Sequence, residues 1–491
     1  MLQYIYQSLM FFRRAFPRSL TWLMFCMVVL GFMGSHEIGG VTSFCRFWGL
    51  ETAGYNAFLH FFRVSIWSLG NIAEFWSTFL LTQNETVKSH GRAVLSGDHT
   101  CVPKDGRRMP CVVTMHQHSE TQSKPSYFRG HCQGAIGMLI GSMASPFCTP
   151  LSLGIHQGLV HVNEKGKAEE SKETLGTRIV QMALDFAMKH DLPSILILDA
   201  FFPGAAVFLL AGSVWSIRHK CPLLTLIIRA KKNCAAYFEA EKPLKRKQGR
   251  PRIYGEKVKV SELFDHSHLF SKAECTVYGN VEKVSIASAT LLWKPTAGLI
   301  RFVLAITSRG PIILMCSDLN QDPVAALELY CVRVRIETMF DMLKNLMGVF
   351  QYRFRTKGLP RHSRKPRKNK YLKKPVGSEQ MRKVRCCFEG YERFVMTGAI
   401  ALGLLQLLSL KFQNSVWGEY KGFLRTRSRN LPSERTVKAV VGNLLVRDLF
   451  SSASGLIMQK IQEYRFKTKK AELGCQRADL MPESEMTGAS S

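Results

Sequence analysis

Four side chains that could bind a metal ion or a phosphate lie within one short helical stretch, YCVRVRIETMFDMLK, residues 330–344. They are Tyr330, Arg333, Glu337 and Lys344. At about 100° per residue, they fall within roughly 60° of one another around a helix axis. The opposite face is apolar, as in an amphipathic helix packed on a core, and consists of Ile336, Met339, Leu343, Leu346 and Met347. The polar stripe therefore faces either a cleft or solvent, where i,i+4 ion pairs would hold it.

Three carboxylates could support phosphodiester chemistry. Cleaving and rejoining phosphodiesters is commonly done by two divalent ions, one activating the attacking hydroxyl and the other stabilising the leaving oxygen. Mg²⁺ prefers oxygen ligands, so such a site needs acidic residues at strand ends and on a facing helix. Asp98, Asp199 and Glu337 occupy such places in the predicted pattern. Each also has an ordinary interpretation, respectively a turn residue, a helix cap and an ion-paired surface residue.

The elements that would position these residues form a mixed α/β pattern. A strand is predicted in GRAVLSGDHT, and the apolar run of PSILILDAFFPG ends at Asp199, which is typical of a strand buried on both faces. The amphipathic helix TLGTRIVQMALDFAMKH lies between them, and a helix in AAVFLLAGSVWSIRHK and a strand in LLTLIIRA follow. Asp322 and Pro323 predict the start of the helix that carries the stripe.

Changes in composition divide the chain into seven predicted regions. β-type runs punctuated by Gly and Pro interrupt the α/β pattern, and a tract dense in Lys, Arg and Pro follows the stripe helix. The regions are a helical N-terminal domain (1–88), the first part of the α/β domain (89–240), an inserted β domain (241–317), the final helix of the α/β domain (318–352), a basic linker (353–385), a helical C-terminal region (386–470) and a polar tail (471–491).

The net charge indicates an extended polyanion as partner. The chain of 491 residues has 67 Lys and Arg against 37 Asp and Glu, a formal charge of +30. Nucleic acid is the first candidate, and an anionic membrane surface is the second. The 14 cysteines include no CxxC pair and no spacing of the kind that zinc needs, which favours reduced thiols and a cytoplasmic location.

Two apolar runs leave a membrane protein as an alternative. Residues 19–36 follow three arginines and imitate a signal peptide or a short anchor, and residues 394–410 form the second run. Both lie at or below the roughly 18 to 20 residues that a spanning helix needs. Both are therefore predicted to be buried core helices.

Taken together, these features resemble a known family. The spacing of the stripe residues matches the Tyr-Arg-Glu-Lys signature of a branch of bacterial insertion-sequence transposases of the DDE type. The order of Asp98, Asp199, β insertion and Glu337 is similar to that family's ribonuclease-H-like catalytic domain, a mixed α/β sheet interrupted by an inserted β domain. The phrases VPKDGRRMP and SDLNQDP resemble its flanking sequences. The similarity covers about residues 90–350.

The resemblance implies roles for individual residues. Asp98, Asp199 and Glu337 would hold two Mg²⁺ ions, for which Mn²⁺ could substitute, with Asp98 shared between them. Tyr330, Arg333, Lys344 and Trp293 would contact DNA, Trp293 by stacking on an unpaired base, although a core tryptophan is the alternative. One departure is His99, where relatives often have a second aspartate.

The resemblance also implies a function. The protein would be a nucleoid-associated bacterial transposase that binds the terminal inverted repeats of its element through the N-terminal helical domain. It would cleave the ends of this double-stranded DNA and join them to target DNA, as a homodimer in the synaptic complex and with no small-molecule substrate. The alternatives are a related metal-dependent nuclease without strand transfer and a non-catalytic basic DNA-binding or membrane-associated protein.

Overall fold

The computed structural model divides the protein into two compact units. The first unit comprises residues 1–79, 105–110 and 341–491, and the second comprises residues 80–104 and 111–340. The structure describes residues 1–63, 66–116, 127–157, 161–162, 168–169, 173–240, 252–362, 364, 377–423 and 431–479. Part of the predicted basic linker, the basic start of the predicted β insertion and the last part of the predicted polar tail lie outside these ranges.

The N-terminal region is helical, as its sequence predicts. Its helices are α1 (Leu2–Phe11), α2 (Ser19–Gly34), α3 (Val41–Trp48), α4 (Thr52–Arg63) and α5 (Leu69–Leu81), with a 3-10 turn at Phe12–Ala15. Helix α2 has no polar side, and every residue from Trp22 to Gly34 is buried. This burial agrees with the prediction that the apolar run 19–36 is a core helix.

A 13-stranded mixed sheet forms the body of the second unit. Two small hairpins, formed by β6 with β7 and by β9 with β10, lie outside that sheet. The strands are β1 (Lys88–Ser89), β2 (Arg92–Pro103), β3 (Val113–His116), β4 (Tyr127–Ile140), β5 (Phe147–Ile155), β6 (His161–Val162), β7 (Ala168–Glu169), β8 (Ser194–Leu198), β9 (Trp215–Ser216), β10 (Cys221–Pro222), β11 (Leu224–Arg229), β12 (Ala235–Glu239), β13 (Tyr254–Lys259), β14 (Ser271–Val277), β15 (Asn280–Trp293), β16 (Gly298–Thr307) and β17 (Gly310–Cys316). The helices of this region are α6 (Leu175–His190), α7 (Ala205–Ala211), α8 (Pro323–Cys331) and α9 (Arg335–Asp341).

Three parallel strands lie at the centre of this sheet. Strand β8 lies between β2 and β11 and runs parallel to both. Its sequence, SILIL, is buried at every position, as expected for a central parallel strand that is covered on both faces. On the other side of β2, strands β4 and β5 continue the sheet in antiparallel orientation. The predicted strands in GRAVLSGDHT, PSILILDAFFPG and LLTLIIRA are thus confirmed.

Two local features differ from the predictions. The 14-residue strand β4 was not singled out, because its sequence, YFRGHCQGAIGMLI, mixes glycine and polar residues without a clear alternation. The helix predicted over AAVFLLAGSVWSIRHK ends after two turns, at Ala211, and is followed by Gly212 and the β9–β10 hairpin. Glycine is a poor helix former, so it favours an early end.

The β runs predicted between β11 and the stripe helix continue the same sheet. Strand β17 pairs antiparallel with β11, and β16 and β15 follow in order. Strands β12 and β14 both pair with β15. The predicted antiparallel strands are therefore present and hydrogen-bonded to the central sheet, while their assignment to an inserted domain stays a prediction.

The stripe helix begins as predicted, but it is not one uniform α-helix. The Asp322 carboxylate accepts a hydrogen bond from the N–H of Ala325 at 2.7 Å and caps the start of α8. A 3-10 turn at Val332–Val334 separates α8 from α9, and a π-helical turn follows at Met342–Leu346. Because each change of helix type alters the rotation per residue, the four stripe residues do not keep the uniform arrangement that the sequence predicts.

The C-terminal helices belong to the first unit. They are α10 (Ser378–Lys411), α11 (Gln413–Glu419), α12 (Glu434–Leu449) and α13 (Leu456–Asp479), so α13 extends into the predicted polar tail. Helix α2 packs against α10 and α12, which brings the two predicted helical regions into one unit.

Helix α10 contains the second apolar run. Among the described residues, it is the one helix that is long and apolar enough to cross a membrane by length and composition. However, 89% of its apolar window is buried inside the structure. A mostly buried helix of this kind fits the prediction of a core helix at 394–410.

Candidate active site

Asp98 and Asp199 lie at the same level on adjacent parallel strands. The pairing of β2 with β8 ends with Ser96 opposite Ile197, and each aspartate lies two residues further along its strand. Because side chains alternate between the two faces with a period of two, the two carboxylates share a face with that last pair. Asp98 therefore lies within a strand and not in a turn.

Asp199 directly follows strand β8. Its carboxylate accepts a hydrogen bond from the N–H of Phe201 at 2.8 Å, which is a local turn contact. Helix α7 begins only at Ala205, so Asp199 does not cap it. One carboxylate oxygen is occupied by the turn, and Asp199 keeps further acceptor capacity.

Arg333 connects the helix of the predicted stripe to the strand that carries Asp98. Its Nη1 donates to the Asp98 Oδ2 at 3.3 Å, and its Nη2 donates to the Glu337 Oε1 at 2.8 Å. The ion pair that the sequence suggested between Arg333 and Glu337 is thus present. Arg333 also connects distant segments, because the same guanidinium donates to the Asp98 carboxylate, 235 residues away in sequence.

The pKa values show that all three carboxylates act on this guanidinium. Burial alone would lower the pKa of Arg333, but the charges of Asp98, Asp199 and Glu337 raise it. Burial raises the pKa of Asp98 to about 6, the N–H of His99 and the charge of Arg333 oppose this rise, and the other two carboxylates add to it. The site is therefore an acidic cluster with one cation among its members.

The residue after Asp98 also forms a buried contact. The backbone N–H of His99 donates to the Asp98 Oδ1 at 2.7 Å. The Nε2 of the His99 ring lies 2.9 Å from the Nδ1 of His156. Phe202 stacks on the His99 ring with a centroid distance of 5.8 Å. Burial and the charge of Arg178 lower the pKa of His99 to about 4. Burial lowers the pKa of His156 to about 3, with His99 and Arg178 adding to the effect, so both imidazoles are neutral at pH 7.

Sequence reasoning had not singled out His156 or Arg178. His156 directly follows strand β5, and Arg178 lies on helix α6. The proximity of His156 to His99 arises from the pairing of β2, β4 and β5, and that of Arg178 arises from the packing of α6 on β2 and β4, so no local spacing could have indicated either.

The two aromatic residues predicted to contact DNA are buried, and their contacts with DNA stay predictions. Trp293 is 8% exposed and packs edge-on against Phe208 with a centroid distance of 5.3 Å. This burial fits the alternative interpretation, in which Trp293 is a core residue. Tyr330 is 4% exposed, so its ring lies in the core and not on the outer stripe. Lys344 lies in the π-helical turn that follows α9, and that turn belongs to the first unit.

The donor set suits a hard divalent cation. Among the described residues, no three His, Cys, Asp or Glu side chains are already arranged closely enough to enclose a metal ion. The physical reason is visible in the contacts of Arg333, whose guanidinium occupies the space between Asp98 and Glu337. A cation thus already sits among three carboxylates, and carboxylate oxygens are the ligands that Mg²⁺ prefers.

Comparison with known proteins agrees with this arrangement. Residues 48–278 match the family model described as DDE superfamily endonuclease, and this range contains both Asp98 and Asp199. Enzymes of this superfamily generally use divalent metals. No curated protein matches the chain. The matched residues include both aspartates of the site, so this part of the chain is similar to the DDE superfamily of endonucleases.

Proposed function

We propose that the protein is an insertion-sequence transposase of the Tyr-Arg-Glu-Lys branch. It would bind the terminal inverted repeats of its element, cleave the DNA ends and transfer the strands to target DNA. One observation carries the proposal: the Arg333 guanidinium lies in the field of three carboxylates, contributed by two level strand positions and one helix. The central strand order, with β5, β4, β2, β8 and β11 side by side, supports a ribonuclease-H-like core for this site.

The three carboxylates would hold two Mg²⁺ or Mn²⁺ ions, with Asp98 shared between them. When bound, these ions activate the attacking hydroxyl and stabilise the leaving oxygen. Asp199 and Glu337 would complete the oxygen ligands from either side of Asp98. Arg333 would release its contacts with Asp98 and Glu337 and turn to a DNA phosphate, because a bidentate guanidinium binds phosphate as well as carboxylate.

The other regions keep their predicted roles as part of the proposal. Lys344 would contact a DNA phosphate, the helical region 1–88 would recognise the terminal repeats, and the basic tract 353–385 would follow the DNA backbone. The charge of +30 supports a polyanionic partner of this kind. The synaptic complex would be a homodimer, acting on nucleoid DNA in the bacterial cytoplasm.

A cleavage assay tests the proposal. Full-length protein is incubated with a duplex taken from the DNA that flanks the reading frame, with Mg²⁺ or with a chelator, and a scrambled duplex is the control. We expect nicks at the boundary of an inverted repeat that depend on the metal and on the repeat sequence. Cleavage that ignores the repeat, or an absence of cleavage with an intact fold, would contradict the proposal.

A nuclease without strand transfer is the second candidate. The description of the matched family as an endonuclease favours it, and the match ends before Glu337. Pre-cleaved ends with a free 3′ hydroxyl distinguish the two candidates when they are mixed with a supercoiled plasmid. A transposase joins them to the plasmid, whereas a simple nuclease leaves them unjoined.

A further inference from the structure

A cavity with both polar and apolar lining residues lies in the sheet unit and shares no residue with the carboxylate site. Its volume is about 290 Å³, and its lining includes Tyr278, Arg309, Arg335, Glu328 and Thr276. The cavity lies beside α8 and α9, the helices that carry the predicted stripe. Arg335 is two positions from Arg333, so on a helix the two side chains point to widely different directions.

The aromatic ring in this cavity occupies an unusual backbone position. Tyr278 and Gly279 form the two-residue turn between β14 and β15, where Val277 pairs with Asn280. The φ angle of Tyr278 is 49°, in the left-handed region that favours Asn, Asp and Gly and disfavours large side chains. The requirements of the turn therefore do not account for a tyrosine here, which suggests that the ring itself has a function.

The surroundings of the ring are cationic. The Arg309 guanidinium lies over the Tyr278 ring at 4.2 Å from its centroid. Burial raises the pKa of Tyr278, while the charges of Arg229 and Arg309 oppose that rise. Among the described residues, neither Arg309 nor Arg335 forms an ion pair with a carboxylate. Glu328 is the one acidic residue of the lining, and its carboxylate accepts a hydrogen bond from the N–H of Thr276 at 2.8 Å.

We propose that this cavity binds single-stranded nucleic acid, with Arg309 and Arg335 on phosphates and the Tyr278 ring, together with the Arg309 plane, stacking on an unpaired base. Two arginines that have no carboxylate partner among the described residues can bind the phosphates of a phosphodiester backbone. An exposed guanidinium that lies over an aromatic ring can stack on a base. The formal charge of +30 favours a polyanion over a neutral ligand. The inference rests on the proposed function only in taking nucleic acid as the ligand.

Binding of a short fluorescent oligonucleotide to the full-length protein tests the proposal. The assay is run with a chelator so that no cleavage occurs, and it compares a single strand with the corresponding duplex. The first variant, R309Q/R335Q, removes two cations, and its matched control, K272Q/K283Q, removes two exposed cations from β14 and β15 outside the cavity. We expect weaker single-strand binding in the first variant only, with a salt dependence that is shallower by a slope of roughly 1.4.

The second variant, Tyr278→Asn, separates stacking from charge. Asn followed by Gly suits this turn, so the hairpin should be retained when the ring is lost. Because base stacking on an aromatic ring is typically worth a factor of about 5 to 150, we expect a loss of affinity of that order for the single strand. Competition by inorganic polyphosphate, which has no bases, should be unchanged in this variant.

The outcomes distinguish this proposal from its rivals and from the proposed function. Unchanged single-strand affinity in both variants, or an equal loss in K272Q/K283Q, would overturn it, and melting temperatures verify that each variant is folded. Equal losses of affinity for polyphosphate and for the oligonucleotide in Tyr278→Asn would also contradict the proposed stacking. Because no step requires cleavage, the cavity can bind as proposed even if the carboxylate site proves inactive, and the reverse also holds.

Discussion

The two units of the protein bury charge in opposite ways. In the helical unit, the buried cations are matched by backbone carbonyls at helix ends. Lys438 donates to the carbonyls of Phe32 and Leu346 at 2.8 and 3.3 Å, and Arg393 donates to that of Phe62 at 3.0 Å. In the sheet unit, by contrast, burial places like charges together, because the charges of Asp199 and Glu337 add to the raised pKa of the buried Asp98.

This difference separates charges that stabilise a fold from charges that are suited to function. A buried cation with carbonyl acceptors satisfies groups that a helix end would otherwise leave unpaired. Clustered carboxylates destabilise the fold until a cation joins them, and strongly perturbed pKa values of this kind are characteristic of active sites. The comparison therefore predicts that substitutions in the sheet unit alter activity, and that substitutions of the buried cations alter stability.

Glu337→Gln should strongly reduce cleavage. It removes a charged oxygen ligand but preserves the shape of the helix, so we expect metal-dependent cleavage to fall at least about 100-fold, the scale seen when one charge-stabilising group is lost. Binding of end DNA and the melting temperature should change little. Asp341→Asn, an exposed change on the same helix, is the control. An active Glu337→Gln enzyme would refute the proposed mechanism.

Arg333→Ala and Lys344→Ala should weaken binding of the cleaved DNA end. Each charge-assisted contact with phosphate is worth on the order of 1.5 to 3 kcal/mol, so each variant should bind about 10 to 150 times more weakly. Arg218→Ala, which removes an exposed arginine, is the control. If Arg333 serves only its ion pair with Glu337, the expected loss is instead about 0.3 to 0.5 kcal/mol of stability, with DNA binding intact.

Lys438→Met should lower the stability of the helical unit without affecting cleavage. It leaves two buried carbonyls without their donor, which costs about 1 to 3 kcal/mol, and Lys421→Met at an exposed position is the control. Burial lowers the pKa of Lys438 to about 8, with Arg435 contributing. Between pH 8 and the ordinary lysine value, the unfolded chain binds the proton that the folded chain has released, so stability rises with pH. Chemical denaturation should detect this rise in the wild type and not in Lys438→Met.

Asp98→Asn should abolish cleavage and leave the fold as stable as before or more so. Because the pKa of Asp98 is raised to about 6, the folded protein holds this proton in a window where the unfolded chain has lost it. The stability contributed by this carboxyl is therefore lost as pH rises from about 4 to about 6. We expect Asp98→Asn to raise the unfolding free energy at pH 7 by up to about 3 kcal/mol. A destabilised variant would show that Asp98 serves mainly the ion pair with Arg333.

Local sequence was sufficient for the elements with strong periodicity or clear end signals. The apolar run of β8, the cap at Asp322 and the buried helix α2 are all properties of a few consecutive residues, and the structure confirms them. The sequence predicted only in outline that Asp98 and Asp199 lie level with each other, because this position depends on the register between two strands.

Contacts between distant segments could not be predicted in this way. The pairing of His99 with His156 depends on how β5 lies beside β4, and the link from Arg333 to Asp98 depends on how the turn between α8 and α9 lies against β2. The burial of Tyr330 and Trp293 likewise depends on neighbours from other elements. Spacing can indicate which residues share a helix face, but it does not indicate whether another element covers that face.

The packing of α2 against α10 and α12 has a consequence for biosynthesis. A ribosome would complete α2 early and would reach α10 only roughly 20 to 70 seconds later, at about 5 to 20 residues per second. During this interval the apolar helix, preceded by Arg13, Arg14 and Arg18, lacks the partners that bury it in the finished protein. This apolar segment is therefore covered only once α10 and α12 have been synthesised.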